Sequence, residues 1–234
     1  MKLLLWDIDG TLISTGQAGE TALLRAIKEK TGAEPSLEKI DYRGRTDLFI
    51  ARQILEYYGH PITSESLHAF TECYLKHLAA ELPRAQGGRL LPGVLAALDA
   101  VKKRKDVAQG LLTGNLVKGA RLKLDHYSVW HYFEFGAFAD DSHIRNDLGP
   151  YALRRAKDRH GRDFRPEDVF IIGDTPHDIA CAKAIGAHSI AVATGNFSRA
   201  DLLAHQPTAL FDDLSDLQAF FDVIEGKTGP ATVA

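Results

Sequence analysis

The chain has 234 residues, enough for one large domain or for a core with a smaller lobe. Hydrophobic residues make up 45% and charged residues 25%, an ordinary globular balance that favours neither a membrane nor a disordered class. A formal net charge of -3 gives no electrostatic reason to expect nucleic acid, and no apolar run is long enough to cross a bilayer. Cys73 and Cys181 belong to no CxxC pair. The expectation is therefore a reduced, cytoplasmic protein, a monomer or homodimer, with no membrane or nucleic-acid partner. The apolar start Leu3 to Trp6 is too short for a signal peptide.

The first strand, Lys2 to Trp6, runs straight into Asp7-Ile8-Asp9-Gly10-Thr11. Residues i and i+2 at a strand end point the same way, so Asp7 and Asp9 converge on one space. Glycine permits the tight turn, and Thr11 is placed to satisfy its backbone. Two like charges so close call for compensation, and a divalent cation with oxygen ligands is the natural candidate. The pair also offers a nucleophile and a general acid/base, which suits phosphoryl transfer to a carboxylate.

A long stretch with almost no strand signal follows. Ala18 to Lys30, Asp47 to Tyr58 and Ser64 to Leu82 read as amphipathic helices, the last capped by Thr63 or Ser64. One crossover helix would need far less chain, so a helical lobe inserted between two core strands is expected. Its hinges fall near Leu12 to Gly19 and Gln86 to Gly88. Arg43 and Arg45, with Gly44 between them, lie where this lobe can face a crevice and recognise an anionic group. A solvated loop with a helix cap at Thr46 or Asp47 accounts for them equally well.

Beyond Pro92-Gly93, apolar runs at Val107 to Leu112, Val169 to Ile172 and Ser189 to Val192 read as buried strands, with a weaker one at Phe133 to Phe138. Helical patterns over Gly93 to Lys105, Val117 to His126, Tyr151 to His160 and Asp178 to Ile185 alternate with them. The fold class is α/β, a Rossmann-like parallel-sheet core with an inserted all-helical cap domain. The core takes 1–14 and 90–226, the cap 15–89, and 227–234 is a frayed tail.

The strong strands end in polar turns: Asp7 and Asp9, then Thr113-Gly114-Asn115, then Gly173-Asp174-Thr175-Pro176-His177-Asp178. Ligands of open α/β sheets sit beyond such strand ends, so these turns share one crevice. Asp7, Asp9, Asp174 and Asp178 form a four-carboxylate cluster suited to a hard cation, and Mg2+ is usually shared with substrate phosphate. The Thr113 hydroxyl and the Gly114 and Asn115 amides, opening a helix, suit an anion. Arg145 is the candidate to neutralise charge at the transition state. Lys123 and Lys157 sit mid-helix but are long enough to reach in. His177 is expected to face solvent, and Asp140 and Asp141 to form a polar turn or extra strand-end acids. Trp6 and Trp130 are read as core, and His60, His68 and His77 as surface residues.

With these motifs in place, the chain resembles the haloacid dehalogenase-like hydrolase superfamily. Asp7 to Leu12 is similar to its first motif, Leu112 to Asn115 to its second, and Gly173 to Asp178 to its fourth. By layout it resembles the branch of phosphoglycolate-phosphatase-like and β-phosphoglucomutase-like enzymes. The resemblance implies Asp7 as nucleophile forming an aspartyl-phosphate and Asp9 as general acid and base. It implies Mg2+ held by Asp7, the Asp9 carbonyl and Asp174, with Asp178 on a metal water or positioning Asp174. The acid at Asp9 favours phosphate esters over carbon–halogen bonds, so the expected substrate is a small phosphorylated metabolite. The third motif departs from the family's lysine-before-proline pattern: Asp147 falls at the lysine position, and Arg145, two residues earlier, takes the basic role. A phosphomutase is the first rival, but such members carry a histidine soon after the first motif and Ser14 to Glu20 has none. A phosphate-binding regulatory protein without turnover is the second. A response-regulator receiver domain has no place for the long helical insertion.

Overall fold

The computed structural model describes residues 1–227 and 232–233. The chain opens with β1 (Lys2–Trp6) and β2 (Ile13–Ser14), followed by α1 (Ala18–Thr31), α2 (Asp47–Tyr57) and α3 (Ser64–Glu81). It continues through β3 (Arg89–Leu90), α4 (Val94–Lys102), β4 (Val107–Leu112), α5 (Val117–His126), β5 (Gly136–Ala137) and α6 (Leu148–His160). The last part holds β6 (Val169–Gly173), α7 (Pro176–Ala184), β7 (His188–Val192), α8 (Arg199–Ala204), β8 (Ala209–Phe211), α9 (Leu217–Ile224) and β9 (Thr232–Val233).

The main sheet is wholly parallel, in the order β5-β4-β1-β6-β7-β8-β9. The strand continues the apolar alternation of its sequence onto two faces. Leu4 and Trp6 of β1 enter one core cluster with Val94, Leu98 and Phe220, while Leu3 and Leu5 enter another with Ala152, Ala156 and Cys181. Burial on both faces explains why β1 is apolar throughout. The chain steps outward from β1 to β4 and β5, then returns to the other side of β1 as β6, so the order reverses at β1. A crevice forms beyond the strand ends at such a reversal. Register aligns the turns: Trp6 pairs with Leu111 on one side and Ile172 on the other, so Asp7, Thr113 and Asp174 emerge at nearly one level.

Helices α1 to α3 pack around their own apolar cluster, including Ile27, Ile54, Phe70 and Leu78, and complete an inserted helical cap over a Rossmann-like core. Their bounds lie within a residue of the sequence reading at each end. The two chain segments entering and leaving this lobe pair as the antiparallel strands β2 and β3, a pairing that the glycine-rich hinges did not reveal. Gly16 sits there at φ 57°, and a Cβ on it would lie 2.4 Å from the Gln86 carbonyl oxygen. The two segments therefore touch backbone to backbone, which only glycine allows.

The weak strand read over Phe133 to Phe138 shrinks to Gly136–Ala137, because a 3-10 turn at Trp130–Tyr132 precedes it. Most of the tail read as frayed, residues 228–231 and 234, lies outside the described residues, and Thr232–Val233 pair with β8. Cys73 and Cys181 are free and buried. Among the described residues, no helix is long and apolar enough to cross a membrane.

Candidate active site

The acids after β1 and β6 meet in a crevice of about 450 Å³ between the sheet and the helical lobe. Asp7 is 4% exposed, Asp174 4% and Asp178 1%. One carboxylate oxygen from each lies within 4.8 Å of the others. The turn after β1 stays tight because Gly10 takes φ 79°, and its bare Cα leaves room for Asp174, whose Oδ2 would lie 2.3 Å from a Cβ there. Thr11, read as a satisfier of its own turn, instead donates its hydroxyl to Asp174 Oδ1 at 3.1 Å.

Arg145, just before α6, reaches the cluster. It forms an ion pair with Asp7 Oδ1 at 3.2 Å and a short one with Asp178, and is 6% exposed. The remaining oxygen of Asp178 accepts from the Thr175 amide at 3.0 Å and its hydroxyl at 2.7 Å, a capping box at the start of α7. Both Asp178 oxygens are thus engaged by protein donors.

Asp9 faces the crevice differently. Its Oδ2 accepts from Lys123 Nζ at 2.6 Å and from Asn115 Nδ2 at 2.8 Å. Asn115 also donates to Thr113 Oγ1 at 2.9 Å and accepts from Lys123 at 2.6 Å. Its side chain therefore ties Thr113, Asp9 and Lys123 into one network. Helix α5 opens at Val117, not at Gly114, and the Asn115 amide points to Thr113 Oγ1 at 3.3 Å. The expectation that these two amides open the helix is thereby corrected: the Thr113 hydroxyl draws the turn inward before the helix starts.

Lys123 is the residue that sequence position alone undersold. It lies mid-helix, yet is 4% exposed and joins the site through its long stem. The apolar neighbours in α5 gave the only clue, since a lysine on a buried helix face needs a partner. Lys157 pairs with Asp163 at 2.9 Å on an exposed face and plays no part.

Burial first, then the nearby Asp178 and Asp9 charges, push the Asp7 carboxyl up to about 6, although Arg145 pulls the other way. Burial with Asp178 and Asp7 raises Asp174 well above the ordinary range. Burial works against the charge on Arg145, but Asp178 and Asp7 outweigh it and hold the guanidinium charged. Lys123 is likewise held charged by Asp9, Tyr74 and Asp47 against the effect of burial. Four carboxyl groups thus meet two cations, and with all four ionised the cluster would carry an excess of two negative charges. An all-oxygen donor set carrying that excess fits one hard divalent ion.

The lobe closes the crevice from above. Arg43 lines it and is exposed, its guanidinium 5.6 Å from the Tyr42 ring centre. Arg45 also lines it, but its guanidinium is taken by Asp41 at 2.6 Å and lies over Phe49. Thr46 caps α2 by accepting from the Phe49 amide at 3.1 Å, and its hydroxyl donates to the His143 carbonyl. The loop also docks on the core through its main chain. The Gly44 carbonyl accepts from Arg145 at 3.2 Å, and the Asp47 amide donates to the Gly114 carbonyl at 2.7 Å.

His177 is half-buried under this loop, its ring 2.8 Å from where a Gly44 Cβ would stand, and does not face open solvent as expected. Asp140 accepts from the Val117 amide and Asp141 pairs with Arg155, so both serve the turn. A second hollow, about 630 Å³ and floored by Trp130, Phe133 and Phe135, adjoins β5 and contains none of the clustered acids.

A parallel α/β core with acids at its strand ends, roofed by an inserted helical lobe, defines a hydrolase-type site built on carboxylates. Residues 4–183 match the family of haloacid dehalogenase-like hydrolases, and the chain belongs to that family. It is 26% identical over 225 residues to phosphoglycolate phosphatase 1 of Pseudomonas aeruginosa, covering 92% of this chain and 78% of that one. It is 25% identical over 229 residues to the pyrophosphatase PpaX of Bacillus mycoides, covering 97% and 99%. A hydrolase from Pseudomonas syringae shares the fold with a TM-score of 0.72 at 19% identity, over 95% of this chain and 98% of that one.

Proposed function

We propose that this chain is a Mg2+-dependent phosphatase of small phosphate monoesters, of the phosphoglycolate or sugar-phosphate type. The observation that carries the reading is Asp7: a buried carboxylate at a strand end, paired with Arg145 at 3.2 Å and flanked by Asp9 and Asp174. The names of the relatives, phosphoglycolate phosphatase and pyrophosphatase, point to the same reaction type.

Asp7 attacks phosphorus, the ester P–O bond breaks, and Asp9 gives a proton to the leaving oxygen. This leaves an aspartyl-phosphate. Water, losing its proton to Asp9, then attacks phosphorus, and phosphate leaves with Asp7 restored. Thr113, the Gly114 and Asn115 turn and Arg145 hold the phosphoryl oxygens, and the Arg145 fork meets charge as it develops. Lys123 and Asn115 fix Asp9 through its Oδ2. Asp7, the Asp9 carbonyl and Asp174 would hold Mg2+, which supplies positive charge to the phosphate. Asp178, with both oxygens engaged, serves as the post that fixes Arg145 and the turn after β6.

The division into a core of 1–14 and 90–226 and a cap of 15–89 goes with this mechanism. A cap hinged at the paired strands β2 and β3 excludes water during the first step. Arg43 would meet an anionic part of the leaving group. Ser14, Thr15, Gln17, Gly19 and Glu20 line the crevice, and this stretch offers no histidine to hold a sugar between two phosphoryl transfers, which favours a phosphatase over a mutase. A monomer or homodimer suffices for this chemistry.

The test is phosphate release from p-nitrophenyl phosphate and from a panel of phosphoglycolate, sugar phosphates and pyrophosphate, with magnesium or chelator. Release that needs magnesium and falls by at least about 10³-fold in Asp7→Asn is expected. Phosphate binding without release on any ester would replace the reading with a regulatory binding protein.

A further inference from the structure

The helical lobe carries a second group of metal-type side chains that the crevice chemistry does not use. Cys73 and His77 sit one turn apart on α3, so both face α1, where Glu29 stands opposite. His77 Nε2 lies 2.9 Å from Glu29 Oε2, and one donor atom from each of Cys73, His77 and Glu29 lies within 4.8 Å of the others. None of the three lines the crevice.

The donor set separates this group from the acids below. Asp7, Asp174 and Asp178 offer oxygen alone, which suits Mg2+. Glu29, His77 and Cys73 offer one oxygen, one nitrogen and one sulfur, a set preferred by borderline-soft transition ions. Around Zn2+, donors about 2.0 to 2.3 Å from the ion stand roughly 3.3 to 3.7 Å from one another. The Glu29–His77 separation of 2.9 Å and the 4.8 Å bound on the trio bracket that spacing, and water would take a fourth position.

Glu29 already collects cationic charge: Lys76 Nζ lies 3.3 and 3.2 Å from its two oxygens. Lys76 is 67% exposed in its side chain and can withdraw into water when an ion arrives. Cys73 is 5% exposed, which shields a bound thiolate from bulk solvent.

We propose that Glu29, Cys73 and His77 form a Zn2+-type transition-metal site that braces α1 against α3 on the cap. The Cys73 thiol loses its proton to solvent as the sulfur–metal bond forms, His77 binds neutral, and no electron changes hands. The site is independent of the phosphatase reading, and its test uses no turnover.

The experiment is a Co2+ titration of the full-length, reduced, metal-stripped protein, read by near-ultraviolet absorption. Sulfur-to-cobalt charge transfer reports a thiolate ligand, and Co2+ bound to the catalytic acids is silent in that band. One equivalent of band-forming Co2+ is expected, bleached by Zn2+ and unchanged in Asp7→Asn and Cys181→Ser. Cys73→Ser should abolish it. His77→Gln, at a position nearer the surface and so gentle on folding, should weaken Co2+ affinity by more than about tenfold. Absence of the band in the parent protein, its survival in Cys73→Ser, or its loss in Cys181→Ser overturns the proposal.

Discussion

The floor and the roof of the crevice are built on different terms. On the floor, Asp7, Asp174, Asp178 and Arg145 are all at least nine-tenths buried, and ion pairs tie Arg145 to both Asp7 and Asp178. On the roof, Arg43 is exposed and Arg45 is held by a partner from its own loop. Buried charges in a dense network accept little change in position, because any unpaired member costs several kcal/mol. Exposed charges can be exchanged at small cost. On the proposed reading, the floor carries the chemistry and the roof the choice of leaving group.

The largest effect is expected from Arg145→Met. It strips the cation from Asp7 and Asp178, and should destabilise the fold by about 3–5 kcal/mol in denaturant unfolding while removing turnover. A loss below about 1 kcal/mol would show that the floor tolerates change as easily as the roof.

Lys123→Met ranks second. It leaves the Asn115 carbonyl without its donor, while Asp9, whose side chain is 41% exposed, regains water. The expected cost is about 1–3 kcal/mol, with kcat falling and KM nearly unchanged. Equal changes in KM would place Lys123 on the substrate instead of on Asp9.

Asp47 lies at the seam between roof and floor. Its Oδ2 accepts from the Leu116 amide at 2.8 Å, yet burial pushes its carboxyl from 3.8 up to about 6, against the pull of Lys123 and that hydrogen bond. Between those two values the native state binds more protons than the unfolded chain, so the parent loses stability as pH rises through that window. Asp47→Asn keeps an acceptor and removes this loss. Its advantage should grow from pH 4 to pH 7 and reach about 1–2 kcal/mol, allowing for the water that reaches this half-buried side chain. A flat difference across that range in denaturant midpoints would contradict the assignment.

Arg43→Ala should be the mildest. Stability should stay within about 0.5 kcal/mol, while KM rises for esters with an anionic leaving group and holds for a neutral one. An equal loss on both esters would remove Arg43 from leaving-group recognition.

The parts most readable in the sequence were those governed by short-range rules. Apolar runs that end abruptly in polar turns placed β1, β4 and β6, and helical periodicity placed α1 to α3 within a residue or so. The gathering of Asp7 and Asp174 was readable too, since parallel strands deliver their carboxyl ends to one edge, and Arg145 followed from the need for a cation beside them. What stayed hidden depends on reach and on partners distant in sequence. Lys123 enters the site by side-chain length, which periodicity does not describe. Asp41 takes Arg45 by a local ion pair that competes with any ligand. The β2 and β3 pairing joins segments distant in sequence (Ile13 with Leu90, Ser14 with Arg89), through residues with little strand signal of their own.

The docking loop, Tyr42 to Asp47, is seated through the Gly44 carbonyl, the Asp47 amide and the Gly114 carbonyl, with the Thr46 hydroxyl on the His143 carbonyl and Asp47 Oδ2 on the Leu116 amide. None of these contacts uses the side chain of Tyr42, Arg43 or Arg45, so the seat is blind to those three. Positions 42, 43 and 45 can then be exchanged in combination, by drift or in a designed library, without unseating the loop. Gly44 is the exception, since a Cβ there would meet His177 and Thr175 at 2.8 Å. Selectivity can diverge at three neighbouring positions while the fourth keeps the loop in register with the reacting centre.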